Sequence, residues 1–259
     1  MKADSDSPLI ARERSGRSRQ NVFLCYHPII VDGTLFVGVI QFIVLLLSLS
    51  VHESAHAWSA DRLGDPTARY LGRVSLNPMV HADPIGTILF PIIGMLSGVM
   101  FGWAKPVPVN VNRLRHPKRD HMLVAAAGPA SNLLMASGLF ICLMIMKASS
   151  PSAASLIRHV AASGAYGTMP HGDGILTPLT MVAFYGVLIN VILAIFNLIP
   201  VAPLDGAAVL AGLLPNSAAV MLNQIQSYGF VILLLLLFTG VPAQLYTPVL
   251  NVVLSFLVV

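Results

Sequence analysis

Long apolar runs separated by short polar intervals organise this chain. Apolar stretches cover residues 35–58, 84–102, 122–146, 175–199, 207–222 and 227–257, each near or above the length a helix needs to cross a bilayer. The period changes once, in Trp-Ala-Lys-Pro-Val-Pro-Val-Asn-Val-Asn at 103–112, where Val107, Val109 and Val111 alternate with Pro108, Asn110 and Asn112. That is a strand period, and prolines at 106 and 108 confine it to a sheet edge. An extended interfacial connector fits the same spacing. The first twenty residues are polar and aperiodic, and 1–33 reads as a disordered or interfacial tail ahead of one domain, 34–259. No internal repeat stands out, and loops 59–83 and 147–173 are too short for an appended domain. The pattern predicts an all-α polytopic membrane protein of about five to six transmembrane or re-entrant segments, with a β-type edge segment near 106–112.

Composition strengthens this reading. The chain is 56% apolar and 10% charged, with a mean hydropathy of +0.77, whereas soluble domains carry about 25% charged residues. The first apolar run is too long and starts too late for a secretory signal. All 15 Lys and Arg residues lie at or before Arg158, and from Gly174 to Val259 the one charged residue is Asp205. The basic residues cluster at 2–19, 62–73 and 105–119 without an aromatic or fold signature for nucleic acid. They read as membrane-flanking charge, so the expected partner is the lipid bilayer and not nucleic acid. Cys25 and Cys142 are far apart and read as buried apolar residues, not a disulfide.

The chemistry starts at Glu53, one of two glutamates in the chain, set in the first apolar run as His52-Glu53-Ser54-Ala55-His56. A carboxylate at membrane depth is costly and reads as functional. Histidines four apart share a helix face one turn apart, the H-E-x-x-H arrangement in which both imidazoles bind zinc and the glutamate is the general base. About 0.002 such matches per chain arise by chance from this composition. A hydrolytic zinc site usually has three protein ligands and one open position. Asp205, in Asn197-Leu-Ile-Pro-Val-Ala-Pro-Leu-Asp205-Gly206, is the expected third ligand, with N-capping of the next helix as the alternative.

That ligand set constrains topology. His52, His56 and Asp205 all lie at or beyond C-terminal ends of apolar runs, and these ends must open on one face. The run 84–102, interrupted by Pro84, Pro91 and glycines at 86, 94, 98 and 102, must then enter the membrane and return. Positive-inside counting favours a cytoplasmic active site in a bacterial inner membrane.

The residues now on the page resemble the site-2 proteases, intramembrane zinc metalloproteases. The resemblance rests on His52-Glu53-x-x-His56, Gly128-Pro129-Ala-Ser-Asn132 and Asn197-x-x-Pro200-x-x-Pro203-Leu204-Asp205-Gly206, in that order. Gly64-Asp-Pro-Thr-Ala68, Leu76-Asn-Pro-Met-Val-His81 and Gly102-Trp-Ala-Lys-Pro-Val-Pro-Val-Asn110 are similar to the compact bacterial branch without PDZ or CBS domains. Ala207 departs from a second glycine common after the Asp-Gly. The resemblance implies a three-helix catalytic core, a Zn2+ cofactor, and transmembrane proteins as substrates. It implies that Asn132 handles substrate; the residues alone equally allow an interhelical hydrogen bond.

Among the remaining residues, His81 is a candidate for lining the site. His27, His116, His121, His159 and His171 read as solvated, and Asn197 as satisfying backbone at a broken helix end. The rival reading is an ion- or proton-coupled transporter, in which buried His, Glu and Asp form a relay.

Overall fold

The computed structural model describes residues 31–97, 102–163 and 174–259. The tail expected over 1–33 falls largely outside these residues, as do Cys25, His27, Gly98 and His171. Helix α1 (Val31–Arg62) carries the first apolar run; the short helices α2 (Thr67–Tyr70) and α3 (Pro78–His81) follow. A π-helical turn, Pro84–Leu89, leads into α4 (Phe90–Ser97), and a 3-10 turn, Val111–Arg113, precedes α5 (Pro117–Ser149). Then come α6 (Pro151–Ser163), α7 (Leu176–Asn197), α8 (Asp205–Leu213), α9 (Asn216–Gln226), α10 (Gly229–Thr239) and α11 (Val241–Val258).

Four of these helices, α1, α5, α7 and α11, are long and apolar enough to cross a membrane, or five spans if the bent α9–α10 pair counts as one. Their outer faces stay apolar: Leu35, Val39, Ile43 and Leu47 of α1 recur every four residues and are exposed. A helix apolar all round belongs in lipid. Inside, α1, α5 and α7 pack pairwise around a core that includes Val37, Val44, Ala136, Leu143, Phe184 and Val187.

Several expectations need correction. The 207–222 run is two short helices, because Pro215 stands between α8 and α9 and cannot continue the first. The 227–257 run breaks at Gly240, whose φ of 71° ends α10 in the left-handed region. The 147–173 interval is not simply a loop: α6 turns back and buries Leu156, Ile157 and Val160 against the core. Cys142 is exposed on α5, because the apolar medium around it is lipid, not protein.

The segment 84–102 does return. The Trp103 amide donates to the Gly86 carbonyl at 3.1 Å, so both ends of the apolar segment meet at one level. A side chain at Gly86 would strike the Trp103 ring at 2.3 Å, which is why only glycine fits this crossing. The strand expected near 106–112 is not formed: among the described residues no strand exists, and Val111 and Asn112 curl into the 3-10 turn. An edge needs a partner to become a ladder, and residues 102–110 run as a connector held by isolated backbone and side-chain hydrogen bonds instead.

Candidate metal centre

Helix geometry sets the first two groups. His52 and His56 lie one turn apart on α1, both buried, with their Nε2 atoms 3.1 Å apart. Asp205 opens α8, and its Oδ2 lies 3.2 Å from His52 Nε2 and 3.4 Å from His56 Nε2. Ligands of a tetrahedral ion at bond lengths of about 2.0–2.1 Å sit about 3.3 Å from one another. The three separations therefore outline one face of such a tetrahedron.

The second nitrogen of each imidazole decides the protonation. His52 Nδ1 is 2.6 Å from Asn132 Oδ1, and His56 Nδ1 is 2.7 Å from the Val124 carbonyl. The Asn132 amide is oriented by its own Nδ2, which donates to Asn190 Oδ1 at 2.7 Å and to the Ser48 carbonyl at 3.3 Å. Both Nδ1 atoms therefore carry hydrogen, and in the neutral rings both Nε2 atoms present lone pairs. Two lone pairs and a carboxylate oxygen then face one another, and Asp205 Oδ2 is buried with no hydrogen-bond partner. Acceptors so arranged repel unless a cation lies among them, and two imidazoles with a carboxylate make a donor set suited to zinc. Among the described residues, His52, His56 and Asp205 are the one group of three that could hold a metal.

The surrounding backbone is shaped for this. Gly128 of α5 faces both rings: a Cβ there would lie 2.4 Å from His56 Nε2 and 2.6 Å from His52 Cε1. A Cβ at Gly206 would lie 2.2 Å from the Leu198 carbonyl oxygen, so glycine lets the turn after α7 fold tightly and deliver Asp205. Leu204, not Asp205, is the N-cap of α8, and no side chain caps it. The capping alternative for Asp205 is therefore not realised.

Glu53 is buried beside the ligands, and its Oε2 accepts the Val107 amide at 2.9 Å. The connector bearing Val107 is pinned elsewhere by two residues the sequence reading did not single out. Arg73, buried, donates to the carbonyls of Val80, Lys105 and Pro106. Asp65, also buried, accepts the Asn110 amide at 2.6 Å and the Thr67 amide and hydroxyl. Burial pushes the Asp65 carboxyl upward, but the Thr67 hydroxyl, the two amides and the Arg113 charge hold it below its ordinary value.

Asn190 of α7 was missed as well. Fully buried, it accepts from Asn132 and donates to Ser48 Oγ at 2.9 Å, tying α7 to α1. A single Asn in an apolar helix carries no spacing signal, so only its neighbours reveal it. His81 is buried but holds the Ser75 carbonyl at 2.7 Å and Ser54 Oγ at 3.3 Å; it is not among the ligands. His121, expected to be solvated, is half-buried on α5 and lines a cavity of about 400 Å³ with Pro203, Leu204 and Ala207. Asn197 donates to the Leu193 carbonyl at 2.9 Å, satisfying backbone at the end of α7.

The sequence pattern of peptidase family M50 matches residues 40–239. The chain is 36% identical over 209 residues to "Putative zinc metalloprotease YwhC" of Bacillus subtilis (strain 168), which spans 81% of this chain and 84% of that protein. It is 28% identical over 207 residues to "Putative zinc metalloprotease Rip2" of Mycolicibacterium smegmatis, spanning 79% of this chain and 69% of that one. No solved structure matches the chain. With its H-E-x-x-H histidines and Asp205 gathered between apolar helices and the family pattern running from α1 through α10, the chain belongs to peptidase family M50, the site-2 proteases.

Proposed function

We propose that this chain is an intramembrane zinc endopeptidase that hydrolyses peptide bonds within or beside transmembrane segments of other membrane proteins. The observation that carries the reading is the convergence of His52 Nε2, His56 Nε2 and Asp205 Oδ2 beside a buried glutamate. His52, His56 and Asp205 would hold the ion. Zinc, when bound, brings the pKa of a water down toward about 7 and polarises a carbonyl. Glu53 accepts the proton of the attacking water and passes it to the leaving amine. Asn132, whose amide is committed to His52 and Asn190, keeps the His52 ring turned toward the ion.

A transmembrane helix hides its backbone in its own hydrogen bonds, so the substrate must unwind before it is cut, and its freed amides then need partners. Among the described residues the Val109 amide has no acceptor, and the connector offers an edge to which an unwound substrate strand adds. Val109→Pro is then expected to raise KM with little change in kcat; an unchanged KM would leave the connector a connector. The basic residues at 62–73 and 105–119 flank the end of the bundle where the site opens, which supports a cytoplasmic active site in a bacterial inner membrane. A transport relay is not favoured, because both Nδ1 protons are tied to fixed acceptors.

The test uses purified protein in proteoliposomes with a single-span protein that it cuts. Glu53→Gln is expected to keep its zinc and lose turnover by at least about 100-fold, whereas wild-type turnover in that variant removes the base assignment. Membrane proteomics of cells carrying Glu53→Gln should show transmembrane stubs that accumulate relative to wild type.

A further inference from the structure

The peptide unit between Pro106 and Val107 is held at both poles. Its carbonyl accepts from Arg73 Nη2 at 3.2 Å, and its N–H donates to Glu53 Oε2 at 2.9 Å. The peptide is trans, since the one cis bond among the described residues is Ala202-Pro203. A trans unit points its C=O and N–H in opposite directions, so this one stands between a buried guanidinium and a buried carboxylate.

Each charge alone would be costly to bury. The peptide dipole, oxygen toward the cation and hydrogen toward the anion, joins them, and linked hydrogen bonds polarise one another. The unit is also rigidly placed. Pro106 and Pro108 restrict the backbone on either side; the Lys105 amide donates to the His81 carbonyl at 2.9 Å, and Asn110 is anchored on Asp65.

We infer that Arg73 is a positioning residue for Glu53, acting through the Pro106–Val107 peptide, which orients the carboxylate for proton acceptance. This rests on Glu53 being the general base. Nothing in the H-E-x-x-H motif calls for Arg73. It follows that the connector an unwound substrate would meet also holds the base in place.

Val107→Pro removes the N–H while suiting an extended, proline-flanked run. With a single-span protein that the zinc-loaded enzyme cuts in proteoliposomes, the expected result is kcat lower by about 10–100-fold and KM within about two-fold. Zinc content should be that of wild type, and the infrared carboxylate band that Glu53→Gln removes should be displaced in Val107→Pro. Arg73→Gln should lower kcat similarly, Arg73→Lys should restore part of it, and the Arg73→Gln/Val107→Pro double variant should lose little beyond either single change. Unchanged kcat, a rise in KM alone, loss of zinc and thermal stability together, or additive losses would each overturn the positioning role of Arg73. Wild-type turnover by Glu53→Gln would instead overturn the base assignment on which it rests.

Discussion

At the residue scale, the centre is organised less by its ligands than by what fixes them. Without Asn132 and the Val124 carbonyl to hold their Nδ1 protons, the His52 and His56 rings would be free to exchange tautomers. Asn132 in turn depends on Asn190, which closes the chain of donors between α5, α7 and α1. Asn190→Leu should leave the buried Asn132 amide short of an acceptor, costing about 1–3 kcal/mol and weakening zinc affinity about 10–100-fold; competition with a zinc chelator measures it, and unaltered affinity would remove Asn190 from the supporting shell. Gly128→Ala should displace both rings and lower zinc content, although alanine is the better helix former; full zinc occupancy would show that the rings can retreat. The ligands and Glu53 were legible because their residue types are rare in apolar segments and their spacing is chemical. Arg73 and Asn190 were not, because each matters only through partners far off in sequence: Pro106 is 33 residues from Arg73, and Asn132 is 58 from Asn190.

At the scale of elements, metal geometry decided what hydropathy could not. The run 84–102 is apolar enough to be taken for a span, yet the meeting of Gly86 with Trp103 returns it to its starting level. Single cysteines at positions 75 and 112 should therefore react with an impermeant reagent from the same side of the membrane, and labelling from opposite sides would contradict the fold. The helix breaks at Pro215 and Gly240 were written in residue types, but a run of apolar residues masks them in any averaged window. The connector reads as a strand because side-chain alternation is shared by any extended backbone; a ladder also needs a neighbour. Its anchor on Asp65 has a pH signature. The folded carboxyl sits below its ordinary 3.8, so the unfolded chain binds more protons as pH falls. The Asp65 contact should stabilise the fold fully above that ordinary value and fade as pH drops through the lower folded one. Thermal unfolding of wild type and Asp65→Asn in detergent should differ by a constant amount near pH 6 and converge in acid. A difference that persists in acid would assign the contact to packing, not to the carboxylate.

At the scale of the whole molecule, the bundle solves one problem: it keeps a polar cluster suited to a metal between apolar helices whose outward faces are themselves apolar. α1 shows both halves of the solution, with Leu35, Val39, Ile43 and Leu47 outward and Ser48, His52, Glu53 and His56 inward. Composition and charge placement made the membrane class legible, and the three motifs made the family legible. The packing of α6, α9 and α10 was not, since apolar content does not distinguish lipid-facing from protein-facing surfaces. All of it turns on the proposal that α1 and α8 share one ion. Zinc stoichiometry of the purified wild-type protein beside His56→Ala and Asp205→Ala tests this most directly. One zinc per chain in the wild type, lost from both variants, is the predicted result; Asp205→Ala retaining the wild-type content at wild-type affinity would contradict it.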